Sequence, residues 1–436
     1  MHGNDRYVKL ALIGLVGGLA LPGPANAEIV APAQSQALLA VAKDGTPRVA
    51  FFSGADVVVA RRGAAGWTFA RAGRVPGTSP VLAGLVVDGR GRSSVLVEDE
   101  RGSWLALASR GRPLRTVFRP KTTDDSVGPA GLTLDGAGRP AFAYALQVPS
   151  GKTWLRLVTT DARGRLRTHG ITKGGFPESL LAPGAAPVLF HGRLHVVETF
   201  TNQAIDWSPK RGGGWIGQYL FASRLGSPAG RVGAAVSGAT LWAAWTEMTT
   251  ESLSVLLTFS AATQDTVIAV QHGIFTSLFV ADGRPELGAY DWVEPVEGSF
   301  AYAGVLAGAD GPFAELDGRL EGYAKTPAGG RQLLLSTPSG LEWFATPTRP
   351  TLRLSLSVDA SGSAAGRVAG ASGGLVQIYR ESGTAPRELV ATAEVASDGS
   401  FAAQIRPPGS PTFYRAVYVE PATNVPYSAL LREPVG

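Results

Sequence analysis

Short apolar runs broken by turn residues dominate this chain. Runs of about four to eight residues, rich in Val, Leu, Ala and aromatics, alternate with clusters of Gly, Pro, Asp and Ser. That is the grammar of β-strands joined by tight turns. Beyond residue 27 no stretch places its apolar residues at the helical spacing. One unit shows the pattern. Gly131-Leu132-Thr133-Leu134-Asp135 reads as a first strand, Ala141-Phe142-Ala143-Tyr144-Ala145 as a second, Trp154-Leu155-Arg156-Leu157-Val158 as a third and Arg165-Leu166-Arg167-Thr168 as a fourth. The unit before it matches strand for strand, with runs at 85–88, 94–97, 104–108 and 114–118.

A turn signature sets the phase. It occurs at Asp44-Gly45, Asp88-Gly89, Asp135-Gly136, His191-Gly192, Ser237-Gly238, Asp282-Gly283 and Asp317-Gly318. The spacing is roughly 40–50 residues with several strands per period, which predicts an all-β chain built as a β-propeller. Counting turns gives seven four-stranded blades. Six is the alternative, because the step from Asp282 to Asp317 is short. The last unit holds three runs, at 320–324, 332–336 and 341–345. A strand within 28–33 is therefore expected to complete it and close the ring, with Pro32 at an edge position. Residues Ala345-Thr346-Pro347-Thr348-Arg349-Pro350 read as a stiff linker. Seven shorter runs follow, at 352–358, 364–368, 375–379, 389–394, 401–405, 413–419 and 428–433, the pattern of a β-sandwich.

The start of the chain reads as a targeting segment. Arg6 and Lys9 precede an apolar stretch at 10–21, and Ala25-Asn26-Ala27 has the form of a cleavage site. The expected division is a signal peptide at 1–27, a propeller at 28–346, a linker at 347–351 and a sandwich at 352–436. The mature protein is expected to be secreted or extracytoplasmic, with no integral membrane association after cleavage.

Composition removes several chemistries. The chain has no cysteine, which excludes disulfides, thiolate zinc sites and cysteine nucleophiles. Its net charge of +5 is spread over 436 residues. No contiguous run of Lys and Arg interleaves with aromatics, so nucleic acid is not an expected partner.

The C-terminal segments Gly366-Arg367-Val368, Val376-Gln377-Ile378-Tyr379, Ala391-Thr392-Ala393, Ser397-Asp398-Gly399-Ser400-Phe401, Ile405-Arg406-Pro407 and Tyr414-Arg415-Ala416-Val417-Tyr418 resemble the Ig-like and fibronectin-III-like domains of secreted bacterial proteins. The resemblance implies a spacer or adhesion role. Val87-Asp88-Gly89-Arg90-Gly91-Arg92 and Leu134-Asp135-Gly136-Ala137-Gly138-Arg139 resemble the repeat propellers of the same kind of protein. That likeness is architectural and names no activity.

Candidate chemistry is sparse. The sialidase repeat Ser-x-Asp-x-Gly-x-Thr-Trp is absent, and Gly73-Arg74-Val75-Pro76 only loosely echoes the Arg-Ile-Pro element of those enzymes. Acids recur near the ends of second strands: Glu98 and Asp99, Glu198, Glu247, and Asp291. If their registers agree, they ring the face opposite the Asp-Gly turns and offer a site for a cation, a cationic ligand or sugar hydroxyls. The competing reading is that they are ordinary residues of wet strand ends. Asp124 and Asp125 sit in the 120–129 loop with Lys121, and a second long loop spans 173–187; such loops are where function concentrates. Trp104, Trp154, Trp207 and Phe300 recur at third strands, as sugar-stacking platforms or, more simply, as core. Single Asp residues a whole repeat apart are turn formers rather than a calcium shell. His191 and His195 have the spacing of half a helical zinc motif in a strand context, so no metal and no cofactor is expected.

The expected function is a binding or interaction protein that presents a propeller face to an extracellular glycan or protein, and binding is favoured over catalysis. Two alternatives stay open. One is a carbohydrate-active hydrolase or lyase on the same scaffold, which needs two suitably spaced carboxyls. The other is a structural envelope protein.

Overall fold

A computed structural model describes residues 28–32, 36–109, 111–148, 150, 152–172, 183–200, 203–222, 227–249, 253–259, 267–381 and 387–435. The expected signal peptide at 1–27 and most of the 173–187 loop lie outside the described residues. The described chain is all β, with no helix.

Antiparallel sheets follow one another along the chain. Four-stranded meanders cover residues 37–74, 80–118, 184–222 and 227–271. Between them, the 126–170 sheet adds the short strand Ser126–Val127 beside Gly131–Leu134. Strands Ile274–Ala281, Arg284–Val296, Ser299–Gly308 and Gly311–Asp317 form the next meander. The last consists of Arg319–Lys325, Arg331–Thr337 and Gly340–Thr346, and its free edge is taken by Glu28–Ala31. Glu28 thus pairs with Trp343, from the far end of the ring, in one sheet, as the three-run last unit predicts. The pairing stops at Ala31, so Pro32 stays outside the ladder and deprives it of no donor.

The first strands of consecutive sheets touch in sequence order, and Arg319–Lys325 returns to touch Ala37–Val41. This cyclic stacking of meanders is a β-propeller. The hydrophobic core is correspondingly distributed as layers between sheets. Val57, Leu82, Val97 and Trp104 join the 37–74 and 80–118 sheets. Leu96, Leu105, Phe142 and Tyr144 join the next pair. Leu334 and Leu341 meet Val49 and Phe51 across the closing seam. Second strands lie between two neighbours and are buried along nearly their whole length, as in Pro140–Gln147, whereas the outer Leu166–Gly170 is largely exposed. Close approach of first strands demands small residues. A Cβ on Gly84 would stand 2.5 Å from Leu132 Cβ, and one on Gly322 would stand 2.6 Å from Leu39 Cβ.

Two points of the turn reading change. Asp317-Gly318 is not a first-to-second hairpin. It joins Gly311–Asp317 to Arg319–Lys325, and the corresponding hairpin is at 326–330. The short step from Asp282 is therefore a change of turn type, and the true hairpin restores the regular interval. Nor is the Asp-Gly pair uniformly the left-handed element. At Asp282-Gly283 both residues have positive φ, 53° and 78°. At Asp88 the turn is longer, and Gly91 at 74° takes that role instead of Gly89.

Residues 353–430 form seven strands within a few residues of those expected. Arg353–Val358, Ser363–Ala369 and Ser400–Gln404 make one sheet. Leu375–Glu381, Glu388–Glu394, Phe413–Val419 and Pro426–Leu430 make another, which continues into the propeller through the pairing of Tyr427 with Leu316. Leu316, Leu320, Tyr323 and Phe344 share one hydrophobic cluster with Val376, Phe401, Tyr414 and Tyr427. Ion pairs lock the same seam. Arg387 and Arg415 both engage Asp317, and Arg432 donates to Asp291 and Glu315 at 2.7 and 2.8 Å.

Candidate ligand-binding site

The second-strand acids do not form an exposed ring. Glu98, Asp99, Glu198, Glu247 and Asp291 are all buried. Glu98 Oε2 accepts a hydrogen bond from the Ala130 amide at 2.8 Å, so it fastens the start of the neighbouring sheet. Burial pushes its carboxyl up to about 7, against the pull of Arg231 and the Ala130 N–H. Glu321 does the same across the closing seam, accepting from the Ala37 amide at 3.2 Å. Arg231 lies in the field of Glu98 and Glu321, and burial lowers its own pKa. Glu198 accepts from the Trp207 indole at 2.8 Å, and burial pushes its carboxyl up to about 7 as well. Glu247 is enclosed within Thr240–Met248. Asp99 accepts from the Ser103 amide and hydroxyl, which shapes the turn after its strand. Asp291 is spent on Arg432. A carboxylate that must be buried is stable there only if donors reach it, and Glu98, Asp99, Glu198, Asp291 and Glu321 act as fasteners between strands, sheets and the C-terminal segment. Asp124 is exposed and Asp125 half-buried in the connection before Ser126–Val127.

Trp104, Trp154 and Trp207 pack as core, as the plainer reading has it, and Phe300 does not. Trp104 is buried between sheets, and Trp207 is partly buried against Leu155 and Val196. Phe300 is exposed. His191 sits in the turn at φ 47°, while His195 Nδ1 lies 3.0 Å from Asp206 in the adjacent strand. Among the described residues no three His, Asp or Glu side chains are placed to hold a metal ion.

The open concavity lies elsewhere, on the side of the Asp-Gly turns. A cleft of about 500 Å³ separates the 37–74 and 80–118 sheets. Arg48, Arg61, Arg71, Arg92 and Arg112 line it, and among the described residues none in its wall is Asp or Glu. A second cleft, of about 230 Å³, shares Arg92, Ser109 and Arg112 with the first and continues to Arg115 and Arg163. Local sequence explains the placement. Arg92 follows the turn glycine Gly91, Arg112 follows Gly111 and Arg163 precedes Gly164, so these hairpins present their arginines at adjacent tips.

Arg48 is the unusual member. It is 3% exposed, and its guanidinium donates to the carbonyls of Pro47 and Gly91 at 3.2 and 3.3 Å. It pairs directly across the ladder with Arg61. Burial first, and then Arg61, lowers its pKa, against the pull of Asp44. Neither arginine is ion-paired among the described residues. Two other cleft arginines are ion-paired from behind, Arg92 to Asp88 and Arg71 to Asp56, as Arg139 is to Asp135 and Arg165 to Asp161 outside the first cleft. The sequence shows no basic cluster because this one is assembled from strands and turns of three successive sheets. The signal that could have found it is the arginine beside the turn glycines Gly91, Gly111, Gly138 and Gly164.

No family model and no curated protein matches the sequence. Solved structures do resemble it. The β-propeller domain of the Trilobed protease from Pyrococcus furiosus is 8% identical, with 72% of this chain and 96% of that chain covered and a TM-score of 0.40. AofleA from Arthrobotrys oligospora is 11% identical over 64% of this chain and 85% of its own, with a TM-score of 0.40. A protein of unknown function from Dyadobacter fermentans is 12% identical over 75% of this chain and its full length, with a TM-score of 0.41.

Proposed function

We propose that this protein is an exported, non-enzymatic binding protein whose arginine-lined clefts receive an extracellular glycan. In this reading the cyclic sheets are seven blades, the last completed by Glu28–Ala31, and residues 352–436 are a fibronectin-III-like sandwich docked on the sixth blade. The segment at 1–27 directs export. The observation that carries the reading is the first cleft: about 500 Å³, open, lined by five arginines, and without a carboxyl among the described residues of its wall. A glycosidase needs two carboxyls about 5–10 Å apart at the scissile bond. Of the acids that the sequence offered for that role, Glu98, Glu198 and Asp291 are instead hydrogen-bonded within the scaffold. Glycan-array binding of the mature protein, with hydrolysis monitored on every glycan bound, tests the proposal. Retention without turnover is expected. Turnover would reverse it, and no retention on any glycan would favour a purely structural role.

A further inference from the structure

We propose that the two clefts form one continuous track for an acidic polysaccharide, a chain bearing repeated carboxylate or sulfate groups. This deepens the preceding reading and rests on it. The argument starts from a buried charge that has no ion pair among the described residues, although the field of Asp44 reaches it. A buried guanidinium is ordinarily matched by a carboxylate, since an unpaired buried charge is costly. This molecule follows that habit at Arg331 with Glu286 and at Arg387 with Asp317. Arg48 breaks it. Carbonyls of Pro47 and Gly91 accept from two of its nitrogens, but neither carries a formal charge. Its cross-strand neighbour is another arginine, and like charges directly opposite destabilise a sheet. A ligand anion seated in the cleft would relieve both penalties.

Extension follows from the shared wall. Arg92 and Arg112 belong to both clefts, so an anion on one side lies beside a second receptive site bounded by Arg115 and Arg163. Arginine forks suit carboxylate and sulfate oxygens alike. The neutral lining favours sugars over nucleic acid. Hydroxyls of Thr68, Ser93 and Ser109 face the clefts, and Phe69, 48% exposed and braced edge-on by Phe51, offers one apolar platform. Single-stranded nucleic acid would call for a series of stacking aromatics, and among the described residues the walls hold one, Phe69.

The test titrates the mature full chain with polygalacturonate, dextran sulfate, neutral dextran and a single-stranded oligonucleotide of matched charge, by calorimetry at two salt concentrations. Binding of one or both anionic polysaccharides, weakened by salt, is expected, and the two arms separate carboxylate from sulfate recognition. R112Q, at an exposed position, should weaken binding at least about tenfold, and R48Q should do the same where it folds. R139Q, whose arginine is clamped by Asp135 outside both clefts, should leave binding unchanged. Neutral dextran bound as well as the charged polymers, with R112Q impaired, would overturn the acidic-ligand inference but leave the glycan reading standing. An oligonucleotide bound more tightly than either polysaccharide would overturn the ligand class. Binding indifferent to R112Q, or no binding to any polysaccharide, would overturn both.

Discussion

Arg48 and Arg61 face each other across adjacent antiparallel strands, and neither is ion-paired among the described residues. The exposed partner is the one that can be removed without opening a cavity. Replacing Arg61 by Thr, a good strand former, should raise stability by about 0.5 kcal/mol. Urea denaturation should show a higher midpoint with an unchanged slope, and added salt should narrow the difference by screening the repulsion.

Glu98 and Glu198 should impose a pH dependence of a particular sign. Burial raises both carboxyls from 4.5 to about 7. The folded state therefore holds a proton that the unfolded state releases, and stability falls as pH rises between those values. The contribution is whole below pH 4.5 and lost as pH passes 7. E98Q and E198Q keep the acceptor for the Ala130 amide and the Trp207 indole and cannot ionise. Each should flatten the stability profile between pH 4.5 and 7, by an amount on the order of 3 kcal/mol at most. Thermal denaturation across that range reads the slope, and a variant as steep as the parent would show that the carboxyl is not held protonated.

Packing between first strands should tolerate no side chain at Gly84. Its Cβ would meet Leu132 Cβ at 2.5 Å, and both belong to strands fixed by their own ladders. Gly84→Val should destabilise by about 1–3 kcal/mol or more through overpacking, whereas Gly89→Ala, with nothing within 4 Å of the new methyl and an ordinary φ, should change stability by less than about 0.5 kcal/mol.

Closure at Glu28–Ala31 can be tested by deletion. Its ladder covers the edge of Gly340–Thr346, and Glu28 is clamped by Arg62, which also lies over the Trp343 ring. A mature chain starting after residue 32 should expose that edge and part of the cluster that holds Val30 and Ala31. Lower thermal stability and concentration-dependent association in sedimentation are expected. An unaltered monomer would mean that the strand does not fasten the ring.

Much of the architecture was legible because strand grammar is local. The runs around Ala141–Ala145 and Trp154–Val158 lie inside observed strands, and the missing fourth strand of the last sheet pointed to the N-terminal segment. Turn identity was less legible. Asp317-Gly318 has the composition of a hairpin yet joins two sheets, since composition reports a change of direction and not which strands it links. The acids misled for a different reason. Glu98, Asp99, Glu198 and Glu247 do lie near strand ends while Asp291 is mid-strand, but Glu98 reaches the amide of Ala130 in the next sheet, a contact that depends on how sheets stack. The cleft escaped notice because Arg48, Arg92, Arg112 and Arg163 are distant in sequence and only the ring brings them together.

The most direct measurement of the central claim is hydrogen exchange with and without bound acidic polysaccharide. Slowed exchange at the tips around 88–92, 109–113 and 160–164 is the predicted result, with the strand ends at 98–103 and the 120–129 connection unchanged. Protection confined to those strand ends and that connection would place the ligand on the opposite face and contradict the account.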